Sequence, residues 1–407
     1  MRIGMSALAL CAAVCLQTAT IAAQSRPLTL AEVLSSARAT APQIVMARLA
    51  LEEARARHLG ASVRFQTNPE LDFALGNRDA TDRRSTDFQL GVGQTFEPGS
   101  RRSARLAGAT AALAQGTADV DETTRRVLRA AAGAYYRGLH AAERIRLLSA
   151  SRELAARVAS VADRRFKAGD IAVLDVNIAR ASLARARAAI EAAEASRTLA
   201  LGELGQLLGV DHRIEIEGSL ANASGETDLT ALLQASSDRP ELRVLEAGVQ
   251  EAEAERQLGQ SFARPEYGVG ARYGREEGDQ IVMGALTITL PVFSKGQELT
   301  ASGAARATRL RSELEAVRTR VRAEVRAAYD AYSRRLAAVR VLEADAIPGL
   351  DENEALAARS FDVGQLGLPE LLLIRRELID TRSDYLDALL EAALARIDLD
   401  ASAAILR

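Results

Sequence analysis

Asp175 and Glu370 are the residues of this chain best placed to do chemistry. Each lies six residues after a glycine, Gly169 and Gly364, inside two copies of one motif. In a symmetric assembly of several chains, each acid would recur as a ring of carboxylates near one end, and such rings favour cations or act as constrictions. An acid one or two turns into a helix is also stabilised by the helix macrodipole, with no further role. Spacing alone favours that second reading. The three histidines, His58, His140 and His212, are widely separated and lack metal-ligand spacing, and no nucleophile elbow, phosphate loop or paired cysteine is present. A site needs several converging groups, so each lone histidine reads as a packing or surface residue. The expectation is a protein that is not an enzyme and carries no cofactor and no bound metal.

The elements that position the two acids are two near-copies of one stretch, FKAGDIAVLDVNIARASL (166–183) and FDVGQLGLPELLLIRREL (361–378). Aligned without a gap, they match Phe166 with Phe361, Gly169 with Gly364, Ile171 with Leu366, Asp175 with Glu370, Arg180 with Arg375 and Leu183 with Leu378. In each, a helical run arrives, a glycine allows a left-handed turn and a second helical run leaves, so each copy is a helical hairpin with its tip at the glycine. The chain reads as an internal tandem repeat. Its boundaries are 1–23 for a signal peptide, 24–217 for the first repeat, 218–226 (GSLANASGE) for a polar linker and 227–407 for the second repeat.

Composition narrows the class. Charged residues make up 26% and nearly cancel, leaving a formal net charge of −2, so no basic surface points to nucleic acid. Tryptophan is absent and aromatics are 4%, which suits thin helix-on-helix seams of Ala, Leu and Val better than a thick core. Arg2, the apolar run Met5–Leu16 and the small residues around Ala22-Ala23 read as a secretory signal peptide, too short to span a membrane as a helix. Both cysteines, Cys11 and Cys15, fall inside it, which removes disulfides from the mature chain.

After two short helices around Pro42, echoed around Pro240, the period of the sequence changes from helical to two. Pro69–Gly76 and Asp87–Phe96 alternate apolar and polar residues about an exposed loop, Asn77–Thr86. Glu266–Gly274 and Ile281–Leu290 repeat the pattern about REEGDQ. Four strands of about 10 residues have the length of tilted membrane-spanning strands. The alternative is a small soluble sheet with its own core, but nothing else in the chain could close four strands without edges, so several copies closing one barrel is the stronger reading. The remainder is long helix: Ser100–Arg165, with Gly108, Gly116, Gly133 and Gly138 intervening, Ile171–Leu208, Gly296–Phe361 and Leu366–Arg407. Leu310, Leu314, Val317, Val321, Val325, Ala328, Tyr332, Leu336, Val339 and Leu342 form a coiled-coil seam, and Pro348 should kink or interrupt it.

This layout of helices, strand hairpin, long helix, glycine tip and long helix, given twice, resembles the TolC family of outer-membrane efflux channels over essentially the whole mature chain. GQTFEPGSRRSARLAGA (93–109) and LPVFSKGQELTASGAA (290–305) are similar to the segments after the barrel strands in the family's cation-efflux, Czc-type branch. The resemblance implies a mainly α fold with a small β part. Long antiparallel helical hairpins would build a periplasmic α-barrel tunnel, and each protomer of a homotrimer would give four strands to a shared barrel in outer-membrane lipid. It implies a passive exit duct working with a periplasmic adaptor and an inner-membrane transporter. The adaptor would dock at Gly169-Asp170-Ile171 and Gly364-Gln365-Leu366, and the family's acidic tunnel constriction maps to Glu370, with Asp175 its counterpart. The chain departs from the family in carrying Leu373 where a second acid can stand and Leu366 where a basic partner can stand. A duct for type I protein secretion and a periplasmic helical-hairpin adaptor are the alternatives, and the four amphipathic strands argue against the adaptor.

Overall fold

A computed structural model describes residues 26–79, 84–212, 214–223, 225 and 227–406. The expected signal peptide and both cysteines lie outside the described residues. Two short helices, α1 (Leu30–Thr40) and α2 (Pro42–Ser62), lead into strands β1 (Glu70–Asp79) and β2 (Arg84–Phe96), then into the long helices α3 (Gly99–Ala168) and α4 (Val173–Leu208). The same order returns as α5 (Leu229–Ala235), α6 (Pro240–Ser261), β3 (Glu266–Glu276), β4 (Asp279–Thr289), α7 (Gln297–Val341), α8 (Leu350–Asp362) and α9 (Leu368–Ser402). Pro42 and Pro240 each open their helix at its first turn, where the missing N–H costs nothing.

At 1.5 Å per residue, the 70 residues of α3 reach roughly 105 Å. Its four internal glycines do not break it, because neighbours press in close there. A Cβ at Gly138 would stand 2.7 Å from the Ile216 side chain. The second half differs from the first at the matching place. The helix that follows β4 ends at Val341, continues as a short π-helical stretch, Leu342–Ala346, and restarts at Leu350. Pro348 supplies no N–H, and Gly349 takes φ 85°, so the expected interruption occurs as a π turn followed by a glycine bend.

The core is a set of thin seams. Ala131, Ala132 and Ala134 of α3 meet Leu389, Ala392 and Ala393 of α9, with Val33, Ile44 and Leu204 closing the sides. The predicted seam of α7 is buried from Leu310 to Val339, against α6 as far as Val321 and against α5 and α9 beyond it, and arginines of α7 flank the first part by reaching glutamates of α6. Arg306 meets Glu251 at 2.6 Å, Arg318 meets Glu246 at 2.7 Å, and Arg311 and Arg320 meet Glu253 and Glu241. Half-exposed pairs of this kind add little stability but fix helix register. The segment expected as a polar linker is packed where it is described. Leu220 is buried, Tyr135 donates to the Glu217 carbonyl at 2.6 Å, and Tyr332 bonds the backbone of Gly225 at 2.9 Å.

The four strands form one antiparallel sheet in the order β1-β2-β3-β4, so the two halves of the chain are joined by the β2–β3 ladder. The expected loop Asn77–Thr86 is a correction. Asn77 pairs with Thr86, Arg78 with Ser85 and Asp79 with Arg84, so residues 77–79 and 84–86 belong to the ladder. These rungs are held by charge instead of alternation, with Arg84 reaching Asp79 at 3.1 Å and Arg78 reaching Asp87 at 2.9 Å, which is why a period-two search stops short of them. The opposite hairpin turns tightly at Glu277-Gly278, both at positive φ.

Candidate functional site

The sheet has two faces of opposite chemistry. Directly paired residues share a face, so the register places Leu71, Val92 and Ala271 in one row, Phe73, Leu90, Tyr273 and Val282 in the next, and Phe96, Tyr267 and Ile288 in the row nearest the helices. This face is apolar and bare: Leu71 is 74% and Val282 79% exposed. The other face carries Glu70, Asp72, Gln89, Arg272 and Thr287 among glycines. At its centre Asp72 and Arg272 flank Gly91 from both sides and approach to 3.8 Å. The outer edges of β1 and β4 have no partner among the described residues. An isolated sheet with long open edges and an uncovered apolar face is unstable in water. None of the described helices is long and apolar enough to cross a membrane.

At the far end of the helices lie the two tips. Gly169 (φ 86°) and Gly364 (φ 77°) both take the left-handed conformation predicted for them. The closing hydrogen bonds are the same in each: Asp170 N–H to Arg165 O at 2.9 Å and Gln365 N–H to Ser360 O at 2.8 Å. Gly169, Asp170, Gly364 and Gln365 are exposed, and Ile171 and Leu366 are half-buried in the turn, two residues before their helices begin. The two hairpins pack together through Val158, Ala162 and Val176 of the first and Ala357, Phe361 and Leu371 of the second. The repeats are not equivalent here. Phe361 is buried under the Arg165 guanidinium, 5.2 Å from the ring centre, whereas Phe166 is 44% exposed.

Asp175 and Glu370 fall in the first turn, each as the third residue of its helix, because the helices begin at Val173 and Leu368, two residues later than the pattern suggests. The Asp175 carboxylate accepts the Ala172 N–H at 3.3 Å, and the Glu370 carboxylate accepts the Gly367 N–H at 2.9 Å. Both therefore cap their own helix, the more ordinary of the two roles open to them. Neither joins an ion pair among the described residues. Around them Val173, Leu174, Val363 and Leu373 are between 57% and 70% exposed, an apolar collar on both hairpins.

Several residues that hold this apparatus together escape a search for motifs. Arg382 of α9 grips α8 through Asp351 at 2.5 Å and Glu354 at 2.9 Å. Tyr385, one turn on, donates to Glu343 in the π stretch at 2.7 Å, and burial, then this bond, hold its phenol up at about 12. Between sheet and helices, Arg101 is 9% exposed, pairs with Glu266 at the start of β3 and lies over Phe262. Arg105, one turn later, reaches Glu97 at 2.6 Å. The only sequence signal for the last two is an i, i+4 arginine pair directly after a strand-ending Glu-Pro-Gly. His140 bonds Asp387 at 2.6 Å beside Arg144, a packing contact between α3 and α9. Among the described residues no group of His, Cys, Asp and Glu could hold a metal ion.

Residues 33–210 match the outer membrane efflux protein family. Over 381 residues the chain is 27% identical to the cobalt-zinc-cadmium resistance protein CzcC of Cupriavidus metallidurans, covering 92% of this chain and 89% of that one. Among solved structures, the channel CusC superposes with a TM-score of 0.77 at 16% identity, over 93% of this chain and 92% of its own. The CmeC outer membrane channel of Campylobacter jejuni superposes with a TM-score of 0.75 at 15% identity, over 92% and 85%. At these identities the two structures share the fold.

Proposed function

We propose, for a chain that belongs to the outer membrane efflux protein family, that it is the exit channel of a tripartite efflux pump and that its cargo is divalent heavy-metal cations. The observation that carries the reading is the joining of a bare, two-edged, apolar-faced sheet to helices of roughly 100 Å. Three copies pair β1 of one with β4 of the next and close a barrel in the outer membrane, which removes every edge. The apolar face meets lipid, and the face of Asp72, Gly91 and Arg272 lines the aqueous lumen. The helical hairpins continue the passage through the periplasm, so cargo crosses without touching lipid.

The protein performs no reaction. Direction comes from an inner-membrane transporter driven by the proton-motive force or ATP, and a periplasmic adaptor joins the two. Adaptor hairpins dock at Gly169, Asp170 and Ile171 and at Gly364, Gln365 and Leu366, where exposed turns sit beside the apolar collar of Val173, Leu174, Val363 and Leu373. In the trimer Asp175 and Glu370 recur as carboxylate rings at the entrance, which concentrate cations without coordinating them tightly. The likeness to CzcC supports the choice of cargo. Deleting the gene should raise cellular cobalt, zinc and cadmium, and re-expression should lower them. Unchanged metal content with a lost secreted protein would instead assign the duct to type I secretion.

A further inference from the structure

Glu97 and Gly99, in the link from β2 to α3, bound a cavity of about 310 Å³ together with Arg101, Arg102, Glu266 and the Arg64-Phe65 stretch that follows α2. That is room for about ten waters at ~30 Å³ each. Its polar lining is unusually incomplete. Nε of Arg101 and Nε of Arg102 are buried donors with no hydrogen-bond partner, and Oε1 of Glu97 is a buried acceptor with none. Buried polar atoms are rarely left this way, so a group supplying both acceptors and a donor belongs there. No side chain caps the first turn of α3, whose free N–H groups add positive character to the same wall.

The charges on the wall decide which group fits. Arg101 is neutralised by Glu266, and Arg105 by one oxygen of Glu97. Arg64 and Arg102 have no acidic partner among the described residues. Arg64 lies over the Phe65 ring, and Arg102 has only the Ser62 carbonyl at 3.3 Å. The cavity thus offers two spare cations and, beside them, one free carboxylate oxygen. A small anion alone would satisfy the arginines but would leave the second oxygen of Glu97 without a donor. A zwitterion with its phosphate toward Arg64 and Arg102 and its ammonium toward Glu97 satisfies both.

Position agrees with charge. The cavity is lined by Phe96, which stands with Tyr267 and Ile288 in the helix-side row of the apolar face, and by Phe65, packed edge-on against Phe96 at 5.7 Å. Aromatic rings at the rim of such a face mark the depth of lipid headgroups. We propose that the cavity binds the phosphoethanolamine headgroup of a phospholipid in the periplasmic leaflet, with the phosphate held by Arg64, Arg102 and the start of α3 and the ammonium by Glu97. This rests on the reading of the sheet as part of an outer-membrane barrel.

The test is native mass spectrometry of the full-length protein in detergent, titrated with phosphatidylethanolamine, phosphatidylcholine, phosphatidylglycerol and inorganic phosphate. Phosphatidylethanolamine should be retained about tenfold better than the choline lipid, which has no N–H to donate, and better than the glycerol lipid, which has no ammonium. Arg102→Gln should weaken all three lipids by about the same factor, and Glu97→Gln should abolish only the preference for ethanolamine. Both variants should still assemble and conduct in bilayers, which shows that they fold. Equal retention of ethanolamine and choline lipids, an unaltered Arg102→Gln variant, or displacement of the lipid by millimolar phosphate would each overturn the proposal. A protein that conducts yet shows no preference defeats this inference alone, whereas one that never enters a bilayer defeats the exit-channel reading beneath it.

Discussion

Asp72 and Arg272 meet over a glycine. They come from different halves of the chain, flank Gly91 on the central strand pair and approach to 3.8 Å on the glycine-rich face of the sheet. A Cβ at Gly91 would stand 2.1 Å from an Asp72 carboxylate oxygen, so the pair can form only across a residue without a side chain. Both partners are about half exposed, and their contribution to stability is under about 1 kcal/mol. Their effect belongs to the passage. Arg272→Glu should shift the reversal potential toward cation preference in a salt gradient across a bilayer, and an unchanged potential would contradict the placement of this face in the lumen.

Gly303 of α7 lies against the backbone of α6. A Cβ there would stand 2.6 Å from the Arg256 nitrogen and 2.9 Å from the Ala252 oxygen, and neither atom can swing aside. Gly303→Ala gains about 1 kcal/mol of helix propensity, yet the overpacking should dominate and leave a net loss of about 1–2 kcal/mol. Thermal melting of the detergent-solubilised protein checks this. Gly284→Ala, with nothing within 4 Å, serves as the control and should melt near the parent temperature.

The capping role of Glu370 separates its charge from its hydrogen bond. Glutamine can still accept the Gly367 N–H, so Glu370→Gln should leave melting nearly unchanged while lowering cation preference. Glu370→Ala should lose both and cost about 0.5–1 kcal/mol. Selectivity that is the same in all three proteins would leave Glu370 as a helix cap and nothing more.

Tyr385 offers a spectroscopic handle on the π stretch. Burial first, then the hydrogen bond and negative charge of Glu343, hold its phenol at about 12 in the folded protein. A raised acid is protonated longer in the folded chain than in the unfolded one, so the stability it supplies is complete below about pH 10 and is lost as the pH rises toward 12. The absorbance difference between the parent and Tyr385→Phe should show one phenol titrating near 12. Glu343→Gln should move that titration down, though burial keeps it above the exposed value.

Much of this architecture is legible in the sequence because it rests on periodicity and on glycine. The seam from Leu310 to Val339, the turns at Gly169 and Gly364 and the apolar rows of the sheet follow from local pattern alone. The places where reading failed are those where charge or tertiary contact replaces pattern. Asn77–Thr86 looked like a loop because its rungs are ion pairs. The reason a glycine stands at 138 in α3 is invisible locally, because the Ile216 side chain that fills the space comes from a distant segment. Asp175 and Glu370 were visible as a repeated pair, but their capping bonds depend on where each helix starts, which spacing fixes only to within a turn.

The central claim is that this chain forms a membrane-spanning conduit, and single-channel recording of the purified protein in a planar bilayer tests it most directly. The account predicts an oligomer in detergent that inserts and gives discrete conductance steps. A water-soluble monomer that never conducts would contradict it and return the helical hairpins to a periplasmic adaptor.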